Sequence, residues 1–582
     1  ATDTITVNAA AISDNVLLTT AGAGAFSISG LQGNLSNTAS GAVSVTLADN
    51  TDGLYTVTSS TAITVANGTA QVGDTITLEG AGTKTVRGLV ADLTLDATNT
   101  STTGVTTGNA SLTINANAAA GALTVDGAAL AQDKTLTLTG GANGTTATVN
   151  NLVADLVATT LASALTVDLA AGNGAITVTT GNASLTINAN AAAGALTVDG
   201  AALAQDKTLT LTGGANGTTA TVNNLVADLV ATTLASALTV DLADDAVDNA
   251  ISITTGTFST AINDSAATDT ITVNAAAISD NVLLTTAGAG AFSISGLQGN
   301  LSNTASGAVS VTLADNTDGL YTVTSSTAIT VANGTAQVGD TITLEGAGTK
   351  TVRGLVADLT LDATNTSTTG VTTGNASLTI NANAAAGALT VDGAALAQDK
   401  TLTLTGGANG TTATVNNLVA DLVATTLASA LTVDLAAGNG AITVTTGNAS
   451  LTINANAAAG ALTVDGAALA QDKTLTLTGG ANGTTATVNN LVADLVATTL
   501  ASALTVDLAD DAVDNAISIT TGTFSTAIND SAATDTITVN AAAISDNVLL
   551  STAGAGDFII SDLQGNLSNT ASGFVFVALA NN

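Results

Sequence analysis

The chain has 582 residues, 44 of them Asp or Glu against 8 Lys or Arg, for a formal net charge of −36, and 46% are hydrophobic. That apolar content is too high for a disordered chain, and the scarcity of cations argues against nucleic acid or an anionic membrane surface as partner. His, Cys, Met, Trp and Pro are all absent, which removes disulfides, thiolate metal sites and the usual nucleophile–base pairs of catalysis. No run approaches the ~20 apolar residues of a membrane span. The chain opens at Ala1 inside a repeat pattern, without Met, and is read as a mature or excised part of a longer product.

The run ATDTITVNAAAISDNVLL begins at Ala1, recurs at Ala267 and returns at Ala533. Residues 1–266 therefore form one long repeat, 267–532 a second, and 533–582 the start of a third. Shorter units inside the long repeat open at Ile5, Ile63, Leu123 and Leu196, and the next opens at Ile271. The units opening at Ile5 and Ile63 are shorter than the two that follow, by roughly the sequence of one strand and its turn. The stretch from Val105 to Ala170 recurs identically from Val178 to Ala243. Length that changes in steps is natural where a rung can be lost without rebuilding a core.

Along the chain the local period is two. Phe26, Ile28, Val43, Val45 and Leu47 alternate with small or polar residues, and so do Leu123 and Val125. In Thr135-Leu136-Thr137-Leu138-Thr139 the alternation is strict, the signature of a half-buried strand. Glycine- and asparagine-rich punctuation follows, as in Gly140-Gly141-Ala142-Asn143-Gly144, suited to corners that need left-handed backbone. Asn115 and Asn117, with Asn188 and Asn190, fit either internal amide ladders or turn roles. The run Leu152–Leu161 has helix-like leucine spacing and is read as another rung, a short helix being the alternative. Short strands, small corners and exact repetition predict an all-β fold: an elongated parallel β-solenoid built from stacked repeats. At ~4.8 Å per coil and roughly 15 to 25 residues per coil, the rod would be on the order of 120–190 Å long. A string of β-sandwiches is the alternative, disfavoured by the absence of linker-like breaks in composition.

The runs DNAISITTG, ATDTITVNAAAISDN and GLVADL resemble the β-strand repeat regions of giant bacterial surface and secreted proteins, adhesin-like or S-layer-like. The resemblance implies export and a structural or adhesive role outside the cell. The calcium-binding glycine-rich nonapeptide of such proteins is degenerate here, Thr145 standing where a carboxylate would be.

Two acidic corners are candidate calcium sites, because calcium takes several oxygens at once. One holds Asp49, Asn50 and Asp52, repeated as Asp315, Asn316 and Asp318. The other holds Asp244, Asp245 and Asp248, repeated as Asp510, Asp511 and Asp514. The competing reading, a solvated corner that keeps the protein soluble, is preferred for both. Rows of outward threonines also suit an ice-binding face, which variable strands and corners argue against. Finally, the third copy departs from the first at Ile559, Phe574 and Phe576, where Ser27, Ala42 and Ser44 stood. Alternation turns these three outward, making an apolar patch that a cap, a following domain or another copy of the chain would cover. The sequence thus predicts an extracellular structural protein rather than an enzyme: the stalk of an adhesin or the body of a filament or surface layer. A calcium- or glycan-binding adhesive module is the second reading, and a polysaccharide-acting β-helix enzyme the remote one.

Overall fold

A computed structural model describes residues 3–96, 102–117, 121–142, 144–190, 194–215, 217–244, 250–362, 365, 367–383, 387–408, 410–456, 460–481, 483–510 and 516–581. The described residues contain strands and turns and no helix. Among the described residues the fold is a β-solenoid of two parallel sheets, with about 27 turns. The chain divides into two compact units, Ala1–Ser295 with Ala305–Gly307 and Gly296–Thr304 with Ala308–Asn582.

In each unit successive strands alternate between the two sheets, so one coil is one strand from each. In the first unit Thr4–Asn8 pairs in parallel with Ala25–Leu31, while Leu17–Thr20, between them in the chain, pairs with Asn34–Asn37 in the opposite sheet. The coil length is set by corner length. Phe26 is followed one coil later by Val43, a short step, and Leu123 by Ala147, a long one. Both steps fall within the coil size expected from the sequence.

Alternation does what the period of two demands. Leu136 and Leu138 are fully buried while Thr135, Thr137 and Thr139 stand on the outer face. Parallel register then sets each inward residue over its counterpart: Leu123 beside Ala147 and Ala147 beside Leu165, Val125 beside Val149 and Val149 beside Val167. Outward threonines stack likewise and suit the pleated surface.

The run Leu152–Leu161 is a rung, as read from the sequence, and not a helix: it carries the strand Asp155–Val157 with Leu152, Leu156 and Leu161 buried, entered through a corner. In Thr146–Leu152 the register shifts between Val149 and Leu152, and Asn151 there adopts φ 53°. Gly30 (69°), Gly88 (63°) and Asp562 (55°) occupy the same place in related coils. A bulge with a left-handed residue swings the strand end round, Ala154 is buried in the bend, and Asp155–Val157 starts the opposite sheet. Leu152 and Leu156 mimic helical spacing because they reach the same core from opposite sides.

The strand count explains how repeats of unequal length coexist. The units opening at Ile5 and Ile63 hold six strands each, those opening at Leu123 and Leu196 seven. Seven is odd, so identical sequence lands on alternate sheets: Leu123–Asp126 lies in one, its copy Leu196–Asp199 in the other. The two sheets must therefore be near-equivalent environments. The long repeat as a whole holds an even number of strands and restores the original sheet at Thr270–Asn274.

Two details left open by the sequence are now fixed. Asn115 and Asn188 do not stack into a ladder: their Oδ1 atoms accept from the N–H groups of Asn117 (2.9 Å) and Asn190 (3.1 Å), closing turns. The core ladder is elsewhere, where Thr20 donates to Asn37 (2.7 Å) and Asn37 donates to Ser59 (2.9 Å) across three coils. Phe26 is only half-buried, whereas its copies Phe292 and Phe558 are buried.

Leu136→Ala removes a fully packed inward side chain and should weaken its coil by about 2–5 kcal/mol. Thr137→Ala, one residue away on the outer face, should stay within about 0.5 kcal/mol. Native-state hydrogen exchange of the flanking segments measures both.

Candidate functional site

The corner around Asp49 and Asp52 gathers more acid than its own loop supplies. Asp74, from the next corner in the same sheet order, and Asp14, from an earlier one, join it. Every one of these carboxylates accepts a hydrogen bond from within the protein. Asp49 receives the Gln71 amide (2.7 Å), Asp52 the Leu54 N–H (3.1 Å) and the Asn15 amide (2.7 Å), Asp74 the Gln71 N–H (2.8 Å), and Asp14 the Thr51 N–H (3.1 Å). In the second unit Asp315, Asp318, Asp340 and Gln337 repeat the arrangement around a shallow hollow of about 400 Å³, with Leu320 and Val338 exposed at its rim. Buried Tyr55 plugs the corner from inside, its hydroxyl donating to the Ala48 carbonyl (2.7 Å). Burial, followed by the charges of Asp74 and Asp49, pushes that phenol well above its ordinary range.

Of the second acidic corner, Asp244 and Asp510 are described, while Asp245, Asp248, Asp511 and Asp514 lie outside the described residues. Among the described residues no group of three or more acidic side chains is arranged to hold a metal ion.

The third-copy substitutions face out. Phe574 is 63% exposed, Phe576 52% and Ile559 39%. Ile559 and Phe576 are direct neighbours across adjacent coils, and Phe574 stands two residues from Phe576 on the same face. Beneath them Asp557, where Ala25 stood, accepts from the Phe574 N–H (2.6 Å).

Two features escaped the sequence reading. The first is Lys84, repeated as Lys350. Both are fully buried at inward positions, Lys84 between Ile63 and Thr103. Each ammonium donates to a corner carbonyl, Lys84 to Gly80, Lys350 to Gly346 and, at 3.3 Å, to Ser325. Burial holds the Lys350 ammonium down at about 8, with Asp362 opposing, and lowers that of Lys84 likewise. The second is a pair of buried aspartates, Asp264 and Asp269, taken up below. Both features lie where alternation continues inward through a charged residue, as in Lys84-Thr85-Val86 and Ile262-Asn263-Asp264. The remaining lysines, Lys134, Lys207, Lys400 and Lys473, each pair with the aspartate before them (2.6 to 2.8 Å) on exposed corners, where ion pairs contribute little.

Comparison with known proteins gives no match among family models, curated proteins or solved structures. Among the described residues no helix is long and apolar enough to cross a membrane.

The buried lysines set a pH dependence. The folded chain releases the Lys350 proton near 8, the unfolded chain near the ordinary 10.5. Between those values the unfolded state binds more protons, so stability rises with pH. The thermal midpoint should therefore climb from pH ~8 to ~9.5, below the range where tyrosines ionise. Lys84→Met with Lys350→Met should flatten that climb, as circular dichroism melts will show.

Proposed function

We propose that this chain is an extracellular structural repeat protein whose solenoid units serve as stiff spacers, in the stalk of a bacterial adhesin or the body of a surface filament or layer. The observation that carries the reading is the parallel ladder that runs coil to coil through each unit. Pulling along such a ladder loads many backbone hydrogen bonds and a continuous apolar core, and adding a repeat adds length without a new core. The interchangeability of the two sheets supports it too: a sequence that works on either face is suited to extension by duplication. Catalysis finds no support in the residue types available.

Export and a bacterial surface location rest on the style of the repeats. An acidic, threonine-covered exterior with few free cations suits a protein that must stay soluble at high local concentration. The patch of Ile559, Phe574 and Phe576 supports an end-on partner, either a second copy or a following domain, since exposed aromatics at i and i+2 are otherwise a liability.

Electron microscopy of the purified chain should show uniform thin rods, and light scattering should show association at high concentration. The variant Ile559→Ser, Phe574→Ala, Phe576→Ser, which restores the residue types of the first copy, should remain monomeric. Compact round particles would overturn the spacer reading. Association unchanged by the triple substitution would remove the patch from it.

A further inference from the structure

The corner Asp264-Ser265-Ala266-Ala267-Thr268-Asp269 joins the strands Thr260–Asp264 and Thr270–Asn274, and recurs as Asp530–Asp535 in the second unit. Thr260, Ile262 and Asp264 turn inward in register, so the Asp264 carboxyl is fully buried, and Asp269 is 1% exposed. Oδ1 of Asp264 accepts from the Ala266 N–H (3.1 Å), while Oδ2 has no hydrogen-bond partner. The next coil closes over it. A Cβ on Gly290 would run into Oδ2 and the Ile271 side chain, so the glycine leaves the buried carboxyl its place. The Ala289 N–H bonds the Asp264 carbonyl, tying the two corners together.

The charges around this carboxyl are all of one sign. Asp269 faces it within the corner. Asp244 and Asp241, the latter at the end of the strand Ala237–Leu242 on the coil before, add like charge to it. The corner Gly288–Gly290 after it carries no ionisable group, and Asp245 and Asp248 lie outside the described residues. No Lys or Arg occurs between Lys207 and Lys350, or after Lys473. An ionised Asp264 would be desolvated, short of donors and surrounded by like charge, three effects with one sign. The corner at Asp49–Asp74 makes the contrast: there each carboxylate has an N–H donor, Asp49 and Asp52 are exposed and Asp74 is only half-buried.

We propose that the corners Asp264–Asp269 and Asp530–Asp535 are proton-operated locks, closed when the Asp264 and Asp530 carboxyls are neutral and loosened when they ionise. Cohesion of the solenoid then depends on the acidity around it, a property the spacer role does not require. Burial first, then the charges of Asp269, Asp244 and Asp241, push the Asp264 carboxyl up to about 6 against the pull of the Ala266 N–H, and Asp530 follows suit. The folded value lies above the unfolded one near 3.8. The stabilisation is therefore complete below pH ~4 and is lost as pH rises through about 6.

The test is hydrogen exchange by mass spectrometry on the full chain, corrected for intrinsic rates, at pH ~5 and ~7.5. Segments 260–292 and 526–558 should lose about tenfold in protection at the higher pH, the linkage expected of one such group per corner. Segment 49–75 should not change. Asp264→Asn with Asp530→Asn, which mimics the neutral acid, should hold both corners closed at either pH. Equal protection of the wild type at both pH values would overturn the proposal, and this comparison stands even if the variant fails to fold. So would a variant more open than the wild type at pH ~7.5. Closure of the wild-type corners by added calcium chloride at pH ~7.5 would also overturn it, showing that a cation rather than a proton neutralises them.

Discussion

Everything in each unit follows from stacking inward side chains in register, coil upon coil. A coil of two short strands cannot bury its own apolar face; it becomes stable only when Leu123 lies against Ala147 and Ala147 against Leu165, Val125 against Val149 and Val149 against Val167. Each buried leucine or valine contributes about 1.5–3 kcal/mol relative to exposure, and the backbone bonds satisfy the polar groups that stacking buries. Corners are free to differ, provided they return the chain to the same two sheets. That freedom is visible in the short coil from Phe26 to Val43 against the long one from Leu123 to Ala147. It is visible again in a seven-strand repeat whose copies exchange sheets.

The same constraint explains what was legible beforehand. Strict alternation in Thr135–Thr139 and Val43–Leu47 announced half-buried strands, and exact repetition announced a solenoid. The helical look of Leu152 and Leu156 could not be resolved by spacing, because a bulge at Asn151 and a buried Ala154 bring two leucines four apart into one core from opposite walls. The outward direction of Phe574 and Phe576 followed from alternation alone. The acidic corners were harder to read. Asp49 and Asp52 are neighbours in sequence, but their donors Gln71 and Asn15 come from other coils, so the amide satisfaction of that corner is a property of the stack.

Lys84 and Asp264 were hidden for a different reason. Their inward register is implied by the flanking Val86 and Ile262, yet a charged residue is habitually assigned to water. The structure gives the two charges opposite treatments. The ammonium is met by corner carbonyls, a good acceptor set; the carboxyl meets one N–H and a glycine. One buried ion is solvated by backbone and the other is left to a proton, so each makes stability depend on pH in its own range, the lysine above about 8 and the acid below about 6.

The central claim is the parallel, one-coil register, and disulfide trapping tests it most directly, since the chain has no cysteine of its own. Thr148 and Thr166 are outer-face partners on adjacent coils, and Thr124 precedes Thr148 by one coil more. Mild oxidation should link Thr148→Cys to Thr166→Cys quantitatively. It should leave Thr124→Cys with Thr166→Cys unlinked, because two coils exceed the ~7 Å that a disulfide can bridge. Linkage in the second pair, or none in the first, would contradict the stacking from which the rest is derived.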